Sequence, residues 1–310
     1  MNHHHDNDRR GFLKCMAWAG TGALFTASGG LMSSISLDQA MAAPAKAKGF
    51  TFLQISDSHV GFAKPANPDA KATYQEAVSK IIAMPQKPDF IIHTGDITQL
   101  SKDSEFDDAD QIIKQAGLAV FHVPGEHDML DEGAGKAYLD RYGKGTKGAG
   151  WYSFDHKGVH FVALINVVNL KAGGMGSLGG DQLEWLEKDL AGRPSSQPIV
   201  VFAHIPLWTV YADWGWGTDD AAQALTYLKR FGSVTVLNGH IHQITQKVEG
   251  NISFHTARST AFPQPVGGQG PSPGPLKVPT EQLHSMLGIT TASFVRGQDQ
   301  IALIDATLAT

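Results

Sequence analysis

FIIHTGDITQLSKDSEFDDADQIIKQAGLAVFHVPGEHD, residues 90–128, holds one complete structural beat and the start of the next. Phe90 to His93 is a short apolar run that stops at Thr94-Gly95-Asp96. Ser104 to Ala116 then spaces its apolar residues as a helix does, and Leu118 to Val123 is a second apolar run, stopping at Pro124-Gly125-Glu126-His127-Asp128. Runs of four to six apolar residues bounded by Gly and Pro fit strands buried on both faces, and a helix between two of them fits a crossover. The beat also precedes this stretch. Thr51 to Ile55 ends at Ser56-Asp57-Ser58-His59, and an amphipathic pattern follows from Asp69 to Met84. Alternation of this kind predicts parallel strands in an α/β fold, with functional residues in the loops beyond the carboxyl ends of the strands.

The second half starts differently and returns to the same rhythm. Trp151 to Asp155 and Val159 to Asn166 read as an antiparallel pair around His156-Lys157-Gly158, followed by a Gly-rich loop and a helix from Asp181 to Leu190. Ile199 to Ala203 is a strand ending at His204-Ile205-Pro206, Ala221 to Arg230 a helix, and Val234 to Leu237 a strand ending at Asn238-Gly239-His240-Ile241-His242. Gln243 to Val248 and Ile252 to Thr256 form a hairpin. Phe262 to Pro279, rich in Pro and Gly, is expected to be a surface loop or flap that sets substrate specificity, and strands near Gly288 to Val295 and Gln300 to Ala306 close the chain.

At 310 residues, with 18% charged residues and a net charge of −5, the chain has the composition of a soluble globular protein and room for one large domain. No basic excess points to duplex nucleic acid or to anionic lipid. The first 42 residues are set apart. Asp8-Arg9-Arg10-Gly11-Phe12-Leu13-Lys14 resembles a twin-arginine export signal, an interrupted apolar stretch follows, and Ala40-Met41-Ala42 has the small-x-small pattern of a cleavage site. Residues 1–42 are therefore read as a signal peptide, 43–49 as a linker and 50–310 as one domain. The expectations that follow are recognition by the twin-arginine translocation machinery, export in the folded state to the periplasm or beyond, and no stable membrane span in the mature form. Cleavage there removes Cys15, the sole cysteine, so any metal must be held by nitrogen and oxygen.

What stands at the strand ends is chemically uniform: Asp57 and His59, Asp96, Glu126 with His127 and Asp128, His204, and His240 with His242. An Asp-x-His or a His-x-His pair in a loop can offer two side chains to one cation, and either pair alone is weak evidence. Five such loops, each after a strand, are not.

In this order the motifs resemble those of the calcineurin-like metallophosphoesterases, from about Phe50 to Val248, and Gly180-Asp181-Gln182-Leu183-Glu184-Trp185-Leu186 resembles the helix before that family's fourth motif. The resemblance implies a four-layer α/β/β/α sandwich of two mixed sheets flanked by helices. It also implies two divalent or mixed-valence transition-metal ions, Mn, Fe or Zn. Asp57, His59 and His242 would hold the first, His204 and His240 the second, with Asp96 bridging them. Two cations about 3.5–4 Å apart repel, and a bridging carboxylate with a bridging hydroxide stabilises the pair for in-line attack on phosphorus. His127 would stabilise the phosphoryl oxygens or protonate the leaving group, with Asp128 orienting its ring. The implied activity is hydrolysis of a phosphate ester in a small phosphorylated substrate. Phosphodiesterase is the first reading and phosphomonoesterase the alternative.

Glu126 stands where the family has asparagine. Ligation through a carboxylate oxygen is the expectation, and it adds a negative charge that favours a harder cation and repels a phosphate anion. Two alternatives stand beside it: Glu126 turns away, or the site binds metal and a phosphorylated ligand without turnover. Gln99, three residues after Asp96, occupies the position of the purple acid phosphatases' tyrosine and argues against a tyrosinate–iron(III) site. His93 and His122 are read as core residues. The run Trp208, Tyr211, Trp214 and Trp216 either lines the pocket or packs the loop. Arg258 is read as a surface salt bridge.

Overall fold

The opening beat builds the first sheet. In the computed structural model, β1 (Phe50–Ile55), β2 (Phe90–His93) and β3 (Ala119–His122) run side by side in parallel. Their crossovers are α1 (Ala70–Ile82) and α2 (Asp103–Ile113). Asp69 caps α1 by accepting a 2.9 Å bond from the Ala72 N–H, which satisfies one of the amides a helix start leaves free. Two strands from the far end of the chain, β10 (Gly288–Phe294) and β11 (Ala302–Thr307), complete this sheet antiparallel, in the order β11-β10-β1-β2-β3.

The second sheet has six strands. β4 (Tyr152–His156) and β5 (Val159–Ala163) form the antiparallel pair, and β6 (Ile199–Phe202) and β7 (Val234–Asn238) lie parallel to β5. β8 (Gln246–Glu249) and β9 (Ile252–Thr256) extend it, in the order β8-β9-β7-β6-β5-β4. α4 (Gly180–Leu190) and α5 (Ala221–Leu228) cover its outer face.

Strand alternation sorts the apolar residues into three layers. Phe50, Phe52, Phe90 and Ile92 meet Phe161, Val200, Phe202 and Leu237 between the sheets. Leu53, Ile55 and Ile91 point outward to Tyr74, Val78 and Phe106 on α1 and α2. On the far side Val162, Val201 and Val236 pack on Leu183, Leu186, Leu225 and Leu228. With both faces covered, the central strands are apolar at nearly every position, and the layers make the expected four-layer sandwich of two mixed sheets.

Two short helices, α3 (Lys136–Tyr142) and α6 (Thr280–Met286), were not predicted. At seven residues each they are too short to show a period in the sequence. Residues 262–279 contain no helix or strand, as expected.

The structure describes residues 23–28, 31–36, 49–296 and 301–309. Ala23–Ser28 and Leu31–Ser36 pair antiparallel as a two-stranded ribbon of their own. The twin-arginine motif and the boundary at Ala42 lie outside the described residues. Among the described residues no helix is long and apolar enough to cross a membrane.

Candidate metal centre

Every candidate ligand sits just past the carboxyl end of a parallel strand. Asp57 and His59 follow β1, Asp96 follows β2, Glu126 opens a 3-10 turn (Glu126–Met129) after β3, His204 follows β6, and His240 and His242 follow β7. The loops are latched to one another by backbone hydrogen bonds. The Asp57 and His59 N–H groups donate to the Gly95 and Asp96 carbonyls, each at 2.9 Å, and Gly239 N–H donates to the His204 carbonyl at 2.9 Å. Ser259 Oγ donates to the Asp57 carbonyl at 2.7 Å.

These latches hold the backbone in a costly shape. Asp57, His59, Asp96, His240 and His242 have φ of 52°, 38°, 50°, 69° and 53°, and they are five of the eight non-glycine residues in the left-handed region among the described residues. Each costs about 1–2 kcal/mol for a residue with a Cβ. Such outliers persist where the surroundings over-determine them, and they gather at functional sites.

The side chains converge in two groups that share one carboxylate. Asp57, His59, Asp96 and His242 bring their ligand atoms within 4.8 Å of one another, as do Glu126, His204 and His240. In the first group His59 Nε2 lies 3.2 Å from His242 Nε2, which is 3.2 Å from Asp57 Oδ1. In the second, His204 Nε2 lies 3.0 Å from Glu126 Oε2 and 3.3 Å from His240 Nδ1, and Glu126 Oε1 lies 3.1 Å from that same Nδ1. Asp96 Oδ2 stands between the groups, 3.4 Å from His59 Nε2 and 3.5 Å from His204 Nε2.

Several contacts around the cluster fix which atoms face inward. His204 Nδ1–H donates to the Thr94 carbonyl at 2.7 Å and His242 Nδ1–H to the Phe262 carbonyl at 2.6 Å, so in each the Nε2 lone pair points into the cluster. Metal-bound histidines are commonly oriented in this way. Burial is the main reason His59 is held down near 3, and it therefore stays neutral, as a ligand must. Burial pushes Asp57 up, but His242 and the other histidines outweigh it and hold the carboxyl well below its ordinary range. His204 is pulled the other way: burial lowers it, and the Asp96 and Glu126 charges outweigh that and raise it well above its usual value. A cation between those carboxylates would take that proton's place. Glu126 Oε2 is buried with the His204 ring nitrogen 3.0 Å away, and a cation placed between them would be held by both. An all-N/O donor set of four histidines and three carboxylates fits Mn, Fe or Zn.

Asp128 departs from the expected role. Its two oxygens accept from the N–H groups of Gly125, Ile97 and Thr98 and from Thr98 Oγ1, at 2.9–3.0 Å, and they do not meet the His127 ring. His127 is oriented instead by Gln99, whose carbonyl accepts from Nδ1–H at 2.8 Å. Asp128 ties the Asp96 loop to the Glu126 turn, and a backbone acceptor did the orienting because a carbonyl is available at any residue type. Residue identity therefore gave no signal for it.

Above the cluster opens a cavity of about 260 Å³. His59, Asp96, Glu126, His127 and His240 form its floor. Phe62 and Phe262, with ring centroids 4.3 Å apart, line it together with Lys64, Gln99, Trp214, Trp216, Gln264 and Pro273 to Pro275. The tryptophan run thus divides: Trp214 and Trp216 face the cavity, while Trp208 packs on Phe254 with ring centroids 5.0 Å apart. His93 is buried, 2.8 Å from Ser58 Oγ, and His122 stacks on Tyr142. Arg258 makes no salt bridge: its guanidinium donates to the Met286 carbonyl at 3.3 Å, away from the cavity, because the chain end it packs against offers backbone oxygen.

Residues 50–244 match the sequence profile of the calcineurin-like phosphoesterases. The chain belongs to that family. Calcineurin-like phosphoesterases use a dinuclear metal centre, and the two groups around Asp96 are residues that could form one. Among curated members, a probable cyclic nucleotide phosphodiesterase from Psychrobacter sp. (strain PRwf-1) is 22% identical over 62% of this chain and 57% of its own length. The glycerophosphodiester phosphodiesterase GpdQ of Enterobacter lignolyticus is 23% identical over 64% of this chain and 71% of its own. Among solved structures, a dimetal phosphatase from Danio rerio superposes with a TM-score of 0.60 at 14% identity, covering 84% of this chain and 98% of that one. The purple acid phosphatase PPD1 of yellow lupin gives 0.61 at 14%, covering 86% and 52%. At such identities these structures share the family's fold.

Proposed function

We propose that this calcineurin-like phosphoesterase is a metal-dependent phosphodiesterase. The observation that carries the reading is Asp96 Oδ2 standing between two histidine–carboxylate groups at the floor of an open cavity. In this reading Asp57, His59 and His242 hold one cation, Glu126, His204 and His240 the other, and Asp96 bridges them. When bound, the pair supplies electrophilic activation of the ester and a water acidic enough to attack near neutral pH. His127, with Nδ1–H committed to Gln99, keeps Nε2 free to hold a proton for the departing alkoxide. Among the described residues Lys64 is the one lysine or arginine lining the cavity, against Asp96 and Glu126. That balance favours a diester monoanion over a monoester dianion, and the curated relatives named as phosphodiesterases point the same way.

The test compares an aryl phosphodiester with the matching monoester under Mn, Fe and Zn. A faster diester is expected, and a faster monoester would replace this reading with a phosphatase. No turnover with two metals bound would support binding without catalysis. Activity lost in Asp96→Asn but only altered in Glu126→Asn excludes that second reading.

Export is proposed on the Arg9-Arg10 motif and the Ala40-Met41-Ala42 pattern. Retention of an Arg9→Lys, Arg10→Lys double variant in the cytoplasm, with the unaltered chain outside it, is the expected fractionation. Equal partition of both would refute it.

A further inference from the structure

One segment that lines the cavity takes no part in the chemistry above. Residues 262–279 contain no helix or strand, yet Gln264, Pro273, Gly274 and Pro275 all line the cavity. A stretch this long without regular structure inside a compact domain is usually functional.

The segment is pinned at three places. Its neck is closed, because the Leu276 N–H donates to the Pro263 carbonyl at 2.8 Å. Its base hangs on the loop that carries His240 and His242. His242 Nδ1–H donates to the Phe262 carbonyl at 2.6 Å, and the side-chain amide of the next residue, Gln243, donates to the Pro265 carbonyl at 3.1 Å. Farther along, the segment presses on the turn from Tyr211 to Trp216, whose ends exchange backbone hydrogen bonds of 3.2 and 3.0 Å. Gly267 makes the closest approach: a Cβ there would lie 3.0 Å from Tyr211 Cβ and 3.4 Å from Trp216 Cζ3. A loop with joined ends, tied to structured neighbours along its length, moves with the scaffold beneath it.

What the loop presents to the cavity decides how it can select. Proline has no N–H, so Pro273 and Pro275 offer a stiff apolar surface without a donor. Such a surface cannot read a hydroxyl or an amine by hydrogen bonding; it sets how much room a group has. Room is scarce, since about 260 Å³ lies just under the usual range of small-molecule pockets.

We propose that the loop from Gln264 to Pro275 is a fixed wall that selects, by size, the ester group accepted beside the metal centre. The proposal rests on the phosphodiesterase reading and adds a specificity determinant to it. His127 serves the departing group, so the wall is assigned to the group that stays on phosphorus.

Two diesters with the same 4-nitrophenolate leaving group read this directly: the methyl ester and the cyclohexylmethyl ester, assayed with the manganese-loaded protein. The unaltered chain should prefer the methyl ester in kcat/KM by about ten- to two-hundredfold, the range by which a snug apolar surface separates groups of different size. Replacing Val266–Ser272 by Gly-Gly should cut that ratio by about tenfold or more, with two metals per chain retained. Gly267→Val, which presses the loop off Tyr211, should also cut it, and it decides the matter if the shortened chain does not fold. A second readout needs no turnover: methyl phosphate should bind about tenfold or more tighter than cyclohexylmethyl phosphate in equilibrium dialysis, and the shortened loop should erase the difference. Hydrogen exchange at the Leu276 amide should be equally slow with and without methyl phosphate. An amide that slows only on binding would make the loop a lid and overturn the proposal.

If both diesters are cleaved with the same ratio in all three proteins, or the unaltered chain prefers the larger ester, the wall is refuted and the phosphodiesterase reading survives. If neither diester is cleaved but the dialysis preference is present and lost with the shortened loop, the catalytic reading fails and the wall stands. Absence of both refutes both.

Discussion

Gly125 is where an added Cβ would press hardest on a candidate ligand, and replacing it with alanine tests how the ligand cage is built. Its φ of −95° suits any residue, so space is the only obstacle. A Cβ there would lie 2.0 Å from Asp96 Oδ1 and 2.4 Å from Asp96 N, where ordinary contact begins at 3.4 Å. The carboxylate would have to move by about 1.4 Å to restore that contact, and the backbone beside it by about 1 Å. Asp96 Oδ2 stands between the two groups, 3.4 Å from His59 Nε2 and 3.5 Å from His204 Nε2, and Oδ1 also accepts from the His127 N–H at 3.0 Å. Overpacking of this kind costs about 1–3 kcal/mol, and for a domain of this size each kcal/mol lowers Tm by about 2–4 °C. Gly125→Ala should therefore melt about 2–12 °C lower and bind fewer than two metals per chain. Its kcat should drop on the order of a hundredfold, as misplacement by an ångström typically causes. Calorimetry and elemental analysis on the same sample measure both properties. Gly180→Ala is the control, since a Cβ at the start of α4 meets nothing within 4 Å and should be neutral or slightly stabilising. A Gly125→Ala protein with two metals, unaltered Tm and full activity would refute the reasoning.

Glu126→Gln should weaken the second cation by about tenfold or more, since even outer partners of ligands typically contribute that much; competition with a chromophoric chelator that finds both affinities unchanged would show that Glu126 does not ligate. Asp128→Asn puts an amide N–H₂ in place of one oxygen, facing either the Gly125 and Ile97 N–H groups or the Thr98 N–H and hydroxyl, at about 1–3 kcal/mol for each group left unpaired. Urea unfolding should show that loss, and a slower enzyme of unchanged stability would instead place Asp128 in the chemistry. Burial pushes Asp189 up, but hydrogen bonds from His160 and Ser153 outweigh it and hold the carboxyl below the usual 3.8. That stability is present above pH 3.8 and is lost as the pH falls through the lowered value. Asp189→Asn should flatten this part of the acid limb in pH-dependent melting, and an identical acid limb in both proteins would contradict the assignment.

The sheets were legible because buried parallel strands leave unbroken apolar runs. Phe90–His93 and Ile252–Thr256 fall where expected, and α1 lies within the expected span. The candidate ligands were legible because Asp and His at strand ends have few other reasons to recur in five loops. What was hidden is the part of the site that depends on three-dimensional neighbours. The glycines of Gly95-Asp96, Gly125-Glu126 and Gly239-His240 look like ordinary turn residues. Yet a Cβ on each would strike another loop's ligand: His204, Asp96 and Asp57 respectively. The support of His127 by a backbone carbonyl, and the convergence of Trp214 and Gln264 on one cavity across 50 residues of sequence, leave no local pattern. The expected salt bridge of Arg258 failed for a related reason, since its guanidinium lies against the Met286 carbonyl, an acceptor that no residue type announces.

Neither cation position belongs to one sheet. Asp57, His59 and Asp96 reach the first position from the five-stranded sheet, while His242 reaches it from the six-stranded one. The second position takes His204 and His240 from the six-stranded sheet and Glu126 from its partner. A nascent chain that has laid down only β1 to β3 would hold, of these candidate ligands, two carboxylates and one imidazole, with little means of retaining a transition metal. If these groups hold the two cations, metal uptake would work as an inspection of assembly that only a chain whose two halves have closed on each other can pass.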